Sequence, residues 1–510
     1  MEPQFLTVGD RQVHCWVAGD GPPIVLLHPS PLSSRVVLPV AEALARHFRV
    51  YALDTPGYGL SDAPAQRPQG LEDFLPGFAD TFDALGLTRF CLYGAATGAQ
   101  FAIALAKRYP QRIALAVLDA AGHFDPARTD AIIDSYFPDL TPQPDGRHLA
   151  TVWQMVRDLF VFFPWCERSA AARLPRDLPP AAFMQDYLLE YLRAGAHYDW
   201  AYRPAFYHER IERAREVTVP ALLVRWAASP VLQETDALID GGLPDNYRVL
   251  RLGATPAERS EGITGAVQAL YGDAPAAGTR PPATPPAGRI ASSYVVVDGQ
   301  RLHLRLRLQG AGRPLLVLHG AGRSAAAMER ELDAAARARP VICIDLPGHG
   351  ESARLPPGQP GPEVDALAQA VAGALRALGV DGACDVLAEP LGACVAHALR
   401  KRSPPSVAQL QTVGRSAPAT LPLDEWLARH VPDLAPAVDG THLLRAWHHV
   451  RDGLLWSPWW QRTRAQALAA TLPGAAELHA RVVDLMKAGP AYPAAIGAEY
   501  RYRAAHGELA

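Results

Sequence analysis

The chain repeats itself, and this limits what its 510 residues can fold into more than any other feature. Leu26-Leu27-His28 recurs as Val317-Leu318-His319. Asp54-Thr-Pro-Gly-Tyr-Gly-Leu-Ser61 recurs as Asp345-Leu-Pro-Gly-His-Gly-Glu-Ser352, at an offset of 291. Further along the offset is 294. Pro138 to Trp165 aligns without gaps on Pro432 to Trp459, and 14 of those 28 positions are identical. Between the copies lies Asp273-Ala-Pro-Ala-Ala-Gly-Thr-Arg-Pro-Pro-Ala-Thr-Pro-Pro-Ala-Gly288, with no large apolar residue. Such a segment is expected to be an exposed, extended linker over 273–290. Two domains of unequal length follow, 1–272 and 291–510.

Within the first copy, short apolar runs alternate with helical spacing. Ile24–Leu27, Arg49–Asp54, Phe90–Tyr93, Ile113–Leu118, Ala221–Trp226 and Tyr247–Leu252 read as buried strands. Leu71–Leu85 and Ala99–Arg108 read as helices between them. That alternation predicts an α/β fold, a mostly parallel sheet flanked by helices. Residues 124–215 interrupt it with a helical, aromatic-rich stretch, the pattern of an inserted cap. The second copy ends at the position aligned with Glu216, so it is expected to lack the last two strands and the final helix. Its sixth strand, Val407–Val413, then becomes a sheet edge, and a homodimer contact or another partner is expected to cover it.

The order of strand, histidine turn, Asp-x-Pro-Gly-x-Gly-x-Ser and strand–tight turn–helix resembles the α/β-hydrolase fold superfamily, twice over. The resemblance implies esterases, lipases, epoxide hydrolases, dehalogenases or C–C hydrolases acting on small molecules, with no metal and no organic cofactor. It also implies a nucleophile in a Gly-x-nucleophile-x-Gly elbow, followed later by an acid and a histidine.

Here the triad is degenerate. The first elbow is Gly94-Ala95-Ala96-Thr97-Gly98, with Ala96 at the nucleophile position; the second is Ala388-Glu389-Pro390-Leu391-Gly392, with Pro390 there. Proline holds φ near −65°, so the strained elbow is not expected in the second copy. After Trp226 no carboxylate comes before Glu234, and no histidine lies between His208 and His303. Conventional serine-hydrolase activity is therefore not expected from either copy.

Other residues are candidates for a pocket between core and cap. His28 and His319 end the first core strand and read first as structural, second as catalytic. Pro29 stands where the second copy has Gly320, which alters the backbone donors there. Tyr58, Thr97 and Leu391 would line the site, and His123 is a fallback base with Asp119 as its acid. Both copies keep Asp145-Gly-Arg-His148 and Asp439-Gly-Thr-His442. Each aspartate reads as a helix N-cap. Trp153 and Arg157, like Trp447 and Arg451, then share a helix face and read as packing, the arginine stacked on the tryptophan. His148 or His442 could instead serve as a general acid/base.

Charge is balanced, with 49 basic against 52 acidic residues, so nucleic acid or an anionic membrane is not an expected partner. No apolar run is long enough to span a bilayer. Cys15, Cys91, Cys166, Cys343, Cys384 and Cys394 show no metal or disulfide spacing, so a reduced cytoplasmic setting without a metal site is expected. Three functions remain: an enzyme with non-standard acid/base chemistry (a lyase, isomerase or atypical hydrolase), a pseudohydrolase that binds a ligand or scaffolds, and a hydrolase with a displaced nucleophile. All three place a small, partly apolar molecule between core and cap.

Overall fold

The computed structural model describes residues 1–276, 288–355, 361–402, 407–415 and 421–507. Most of the expected linker lies outside the described residues. The chain divides into two compact units, Met1–Leu140 with Val152–Thr284, and Thr141–Thr151 with Pro285–Ala510.

The first unit carries eight strands: β1 (Glu2–Val8), β2 (Arg11–Ala18), β3 (Pro23–Leu27), β4 (Arg49–Leu53), β5 (Phe90–Ala95), β6 (Ile113–Asp119), β7 (Ala221–Trp226) and β8 (Tyr247–Leu252). Their order is β1-β2-β4-β3-β5-β6-β7-β8. The strands from β3 onward pair in parallel, and β1 and β2 form an antiparallel hairpin joined to β4. Every residue of β3 and β5 is buried, as parallel strands covered on both faces require. The hairpin was not among the sequence expectations. β2 is buried along nearly its whole length, so it shows no clean period-2 alternation.

The second unit repeats the plan with six strands: β9 (Ala291–Val297), β10 (Gln300–Arg307), β11 (Leu315–Leu318), β12 (Val341–Ile344), β13 (Cys384–Ala388) and β14 (Val407–Thr412). Their order is β14-β13-β11-β12-β10-β9, so β14 forms the edge expected of the shorter copy. The expected fold class holds: two mostly parallel sheets flanked by helices, the second with fewer strands.

The caps repeat in atomic detail at the offset of 294. Helix Ala181–Ala194 corresponds to Ala475–Ala488, closed by Gly195 at φ 53° and Gly489 at φ 46°. The Trp165 indole N–H donates to the Tyr136 carbonyl at 3.2 Å, and that of Trp459 donates to the His430 carbonyl at 2.8 Å. Arg168 Nε reaches Asp158 at 2.8 Å, and Arg462 Nε reaches Asp452 at 2.7 Å. The identical Asp and Trp positions therefore tie the loop after each long cap helix back onto the cap. Among the described residues no helix is long and apolar enough to cross a membrane.

Candidate functional site

The repeated Asp-x-Pro-Gly-x-Gly-x-Ser motif builds a buried turn after the second core strand. Asp54 accepts from the Ser34 and Leu60 amides at 2.7 and 2.9 Å and lies 2.8 Å from His14 Nδ1. Asp345 accepts from the Ala325 and Glu351 amides at 2.6 and 2.9 Å and lies 2.7 Å from His303 Nδ1. Ser61 and Ser352 close each turn by donating to the carbonyl of the same aspartate. Burial opposes ionisation of both carboxyls, but the histidine partners hold them below the usual carboxylate range. Gly59, at φ +56°, is required there: a Cβ would lie 2.1 Å from Asp54 Oδ2. So the motif that most resembles the family does folding work.

His28 and His319 are held the same way in both copies. His28 Nδ1 lies 2.8 Å from the Pro29 carbonyl, and its Nε2 accepts the Thr55 amide at 2.9 Å. His319 Nδ1 lies 2.7 Å from the Gly320 carbonyl, and its Nε2 accepts the Leu346 amide at 2.9 Å. Each ring bridges two strand ends with both nitrogens occupied by backbone, and burial pushes the His28 pKa down.

The two elbows diverge. Ala96 sits at φ 49°, ψ −114°, so the strained backbone survives although the side chain offers no nucleophile. Gly94 and Gly98 explain the survival: a Cβ on Gly94 would lie 2.1 Å from the Gly98 carbonyl, and one on Gly98 would lie 2.2 Å from the Leu27 carbonyl. Thr97, buried, opens the helix Thr97–Arg108 that follows. In the second copy helix Pro390–Arg402 begins at the proline itself, and neither Glu389 nor Pro390 has a positive φ. Leu391 is fully buried behind it.

The acid site holds a pair that the sequence reading missed. Asp119 Oδ2 accepts from the Tyr93 hydroxyl at 2.7 Å and from Arg259 Nε at 2.9 Å, with Arg259 Nη2 at 2.8 Å. Arg259 lies in the first turn of helix Pro256–Tyr271, just after β8, where the family places its histidine. His123 is not the partner of Asp119. Its Nδ1 accepts the Ile211 amide at 3.2 Å, so the expected His123–Asp119 relay is absent. Tyr58 is also committed: its hydroxyl accepts the Ala201 amide at 2.8 Å.

The cap histidines likewise serve the backbone. His148 Nδ1 accepts the Gln143 amide at 3.0 Å, and His442 Nδ1 accepts the Ala437 amide at 3.2 Å. Within the second unit His148 Nε2 lies 3.0 Å from His479 Nδ1. In helix Thr441–Gly453 the N-cap residue is Gly440, at φ 76°, and not the expected Asp439; the aspartate precedes it and accepts the Thr441 amide at 3.0 Å. Trp153 and Trp447 are buried in these helices, as packing requires. In both caps an arginine from the loop after the helix lies over a tryptophan: Arg168 over Trp165 at 6.0 Å and Arg462 over Trp459 at 5.3 Å to the ring centroid.

The second unit contains a cavity of about 440 Å³ at its elbow, within the range of small-molecule sites. Gly320, Glu389 and Pro390 form its core side; Trp426, Trp459, His449 and Tyr492 contribute from the cap. Glu389 Oε2 accepts the Gly320 amide at 2.7 Å, so a carboxylate occupies the donor beside the old oxyanion position. His449 Nε2 lies 2.7 Å from the Tyr492 hydroxyl, and its Nδ1 has no partner. Burial pushes the His449 pKa down to about 3 and that of His430 to about 4, so both rings are neutral at pH 7. One signal for these residues was readable: at the offset of 294, His449 and His430 replace Met155 and Tyr136. Among the described residues no group of three or more His, Cys, Asp or Glu is placed to hold a metal.

Comparison with known proteins places this geometry. Residues 22–228 and 313–437 match a model of the α/β hydrolase fold. The chain is 33% identical over 114 residues to a pimeloyl-[acyl-carrier protein] methyl ester esterase of Nitrosomonas europaea, a match covering 21% of this chain and 41% of that protein. It is 33% identical over 176 residues to a haloalkane dehalogenase of Agrobacterium fabrum, covering 33% and 54%. The chain thus spans about half or less of the curated relatives it matches. A solved hydrolase from Pseudomonas aeruginosa superposes at TM-score 0.40 and 21% identity, over 53% of this chain and 98% of that one. The family match covers more than half of the residues and falls once in each copy: the chain belongs to the α/β hydrolase fold family.

Proposed function

We propose that this chain is a non-hydrolytic member of its family that binds a small, partly apolar molecule between core and cap, with the cavity of the second unit as the site. The observation that carries this reading is the first elbow. Its strained backbone is intact, yet Ala96 supplies no nucleophile and Asp119 is neutralised by Arg259. A triad hydrolase needs all three groups in reach of one another. The cavity supports the binding half: aromatic walls, neutral histidines and a few polar groups are what small-molecule sites use. The test is a tryptophan-fluorescence titration with 2-naphthalenemethanol, run beside hydrolysis of p-nitrophenyl acetate. Saturable quenching with no hydrolysis above buffer is expected. Absence of quenching, or turnover of the ester, overturns the reading.

A second reading keeps acid/base catalysis without a nucleophile. One observation favours it: the His449–Tyr492 pair at 2.7 Å, with both residues lining the cavity. A neutral histidine beside a phenol can pass a proton to a bound molecule. His449→Met, the residue found at this place in the first copy, separates the two readings. It should leave probe affinity within about threefold if the site only binds.

A further inference from the structure

The duplication supplies an internal control for this cavity. Five charged residues line it: Arg323, Glu389, Arg415, Arg481 and Glu499. The first copy has Leu32, Ala95, Ala121, Tyr187 and Ala205 at the aligned positions. At these five positions the second site carries charge where its sister has none.

Most of that charge is already balanced. Arg323 Nη2 lies 2.5 Å from Glu331 Oε1, and its Nε lies 3.3 Å from Glu389. Arg481 pairs with Glu331 at 3.4 Å and Glu477 at 2.9 Å. Glu499 is within 4.0 Å of Arg503. Arg415 differs: among the described residues it has no carboxylate partner. It lies just beyond the C-terminal end of β14, the end of a parallel strand where ligands of α/β sheets bind. An unpaired guanidinium at a cavity wall is a fork for a carboxylate.

The remaining walls are flat and aromatic. Trp426 stacks on His430 with centroids 4.2 Å apart and planes 9° apart, and Trp459 meets His449 edge-on at 4.7 Å. His449 is nine-tenths buried and has an unpartnered Nδ1. A Tyr492 hydroxyl that donates to Nε2 leaves Nδ1–H as a donor with no acceptor in the protein. The cation calls for an oxygen that the described residues do not provide.

Resting on the ligand-binding reading above, we propose that the second unit binds a planar aromatic carboxylic acid, its ring among the cap tryptophans and its carboxylate on Arg415. An uncharged aromatic of the same shape keeps the ring contacts and loses the charge-assisted hydrogen bonds.

The experiment compares 2-naphthoate with 2-naphthalenemethanol by tryptophan quenching on the full chain, in the unaltered protein and in Arg415→Gln and Trp426→Leu. The naphthoate should bind about tenfold more tightly than the alcohol, and its advantage should shrink as salt rises. R415Q should remove that advantage while leaving the alcohol unchanged. W426L should weaken both probes, which places them in this cavity. Equal affinity of the two probes, or a naphthoate advantage that survives R415Q, overturns the proposal while leaving the ligand-binding reading intact. Binding of neither probe overturns both.

Discussion

Arg259→Met tests whether the first copy's acid site has become a structural ion pair. The Asp119 side chain is 1% exposed, and its polar contacts all fall on Oδ2: Tyr93 at 2.7 Å and two Arg259 nitrogens at 2.8 and 2.9 Å. Oδ1 has no partner. Methionine keeps much of the arginine stem and removes the cation, leaving a buried carboxylate with one hydrogen bond. Breaking a buried pair from one side costs about 3–5 kcal/mol. Arg259 is itself 24% exposed, so partial screening places the expected cost near the lower end, about 3 kcal/mol. The reverse change, Asp119→Asn, leaves a partly solvated arginine that still lies over the Trp226 ring at 4.8 Å. Its cost should be smaller, about 1–2 kcal/mol. Native-state hydrogen exchange at the β5 and β6 amides reads the first unit alone. R259M should speed exchange there by about two orders of magnitude. Adding D119N to R259M should recover part of the loss. An R259M effect no larger than that of D119N, or no recovery in the double variant, would refute the ion-pair assignment.

Three further outcomes follow from the same geometry. Ala96→Ser should fold normally, since the elbow backbone already exists, and should still fail to hydrolyse p-nitrophenyl acetate, because no histidine lies between His208 and His303. Gly59→Ala forces a Cβ to 2.1 Å from the Asp54 carboxylate at φ +56°, so it should destabilise the first unit by about 3 kcal/mol or more, read by the same exchange measurement. Stability should also fall in mild acid. Burial lowers the pKa of His449 to about 3 and of His148, His430, His442 and His479 to about 4, against about 6.5 when unfolded. Only the unfolded chain then gains protons between pH 6.5 and 4, so this stabilisation is complete above pH 6.5 and is lost as pH falls toward 4. Asp484, Glu209 and Glu234, raised by burial, act in the opposite sense but are fewer than the histidines. The melting temperature should be level above pH 7 and drop below pH 6; a rise toward pH 5 would refute the sign.

The sequence carried the fold well because its signals were local or duplicated. Apolar runs such as Ile24–Leu27 can only be buried strands when prolines bound them, and Asp54–Ser61 with Asp345–Ser352 made the family resemblance hard to mistake. β2 escaped because near-continuous burial hides its alternation. The site was legible only by subtraction. Ala96 and Pro390 announced what was lost, whereas the groups that took over come from distant segments. Arg259 meets Asp119 across 140 residues, and Glu389 meets Gly320 across 69. No spacing rule reports such contacts. The doubled Asp-Gly-x-His signal has a structural reason: a histidine kept in both copies can be kept for a backbone amide, and Gln143 and Ala437 supply those amides. Differences between the copies, such as His449 against Met155, were the better guide to the cavity.

The central claim is that the fold persisted while triad hydrolysis was lost in both copies. The most direct measurement is the intact mass of the full chain after exposure to excess fluorophosphonate. The account predicts an unshifted mass, because neither Ala96 nor Pro390 can be phosphonylated and no serine among the described residues has an activating triad. A stoichiometric phosphonyl adduct on any serine would contradict it.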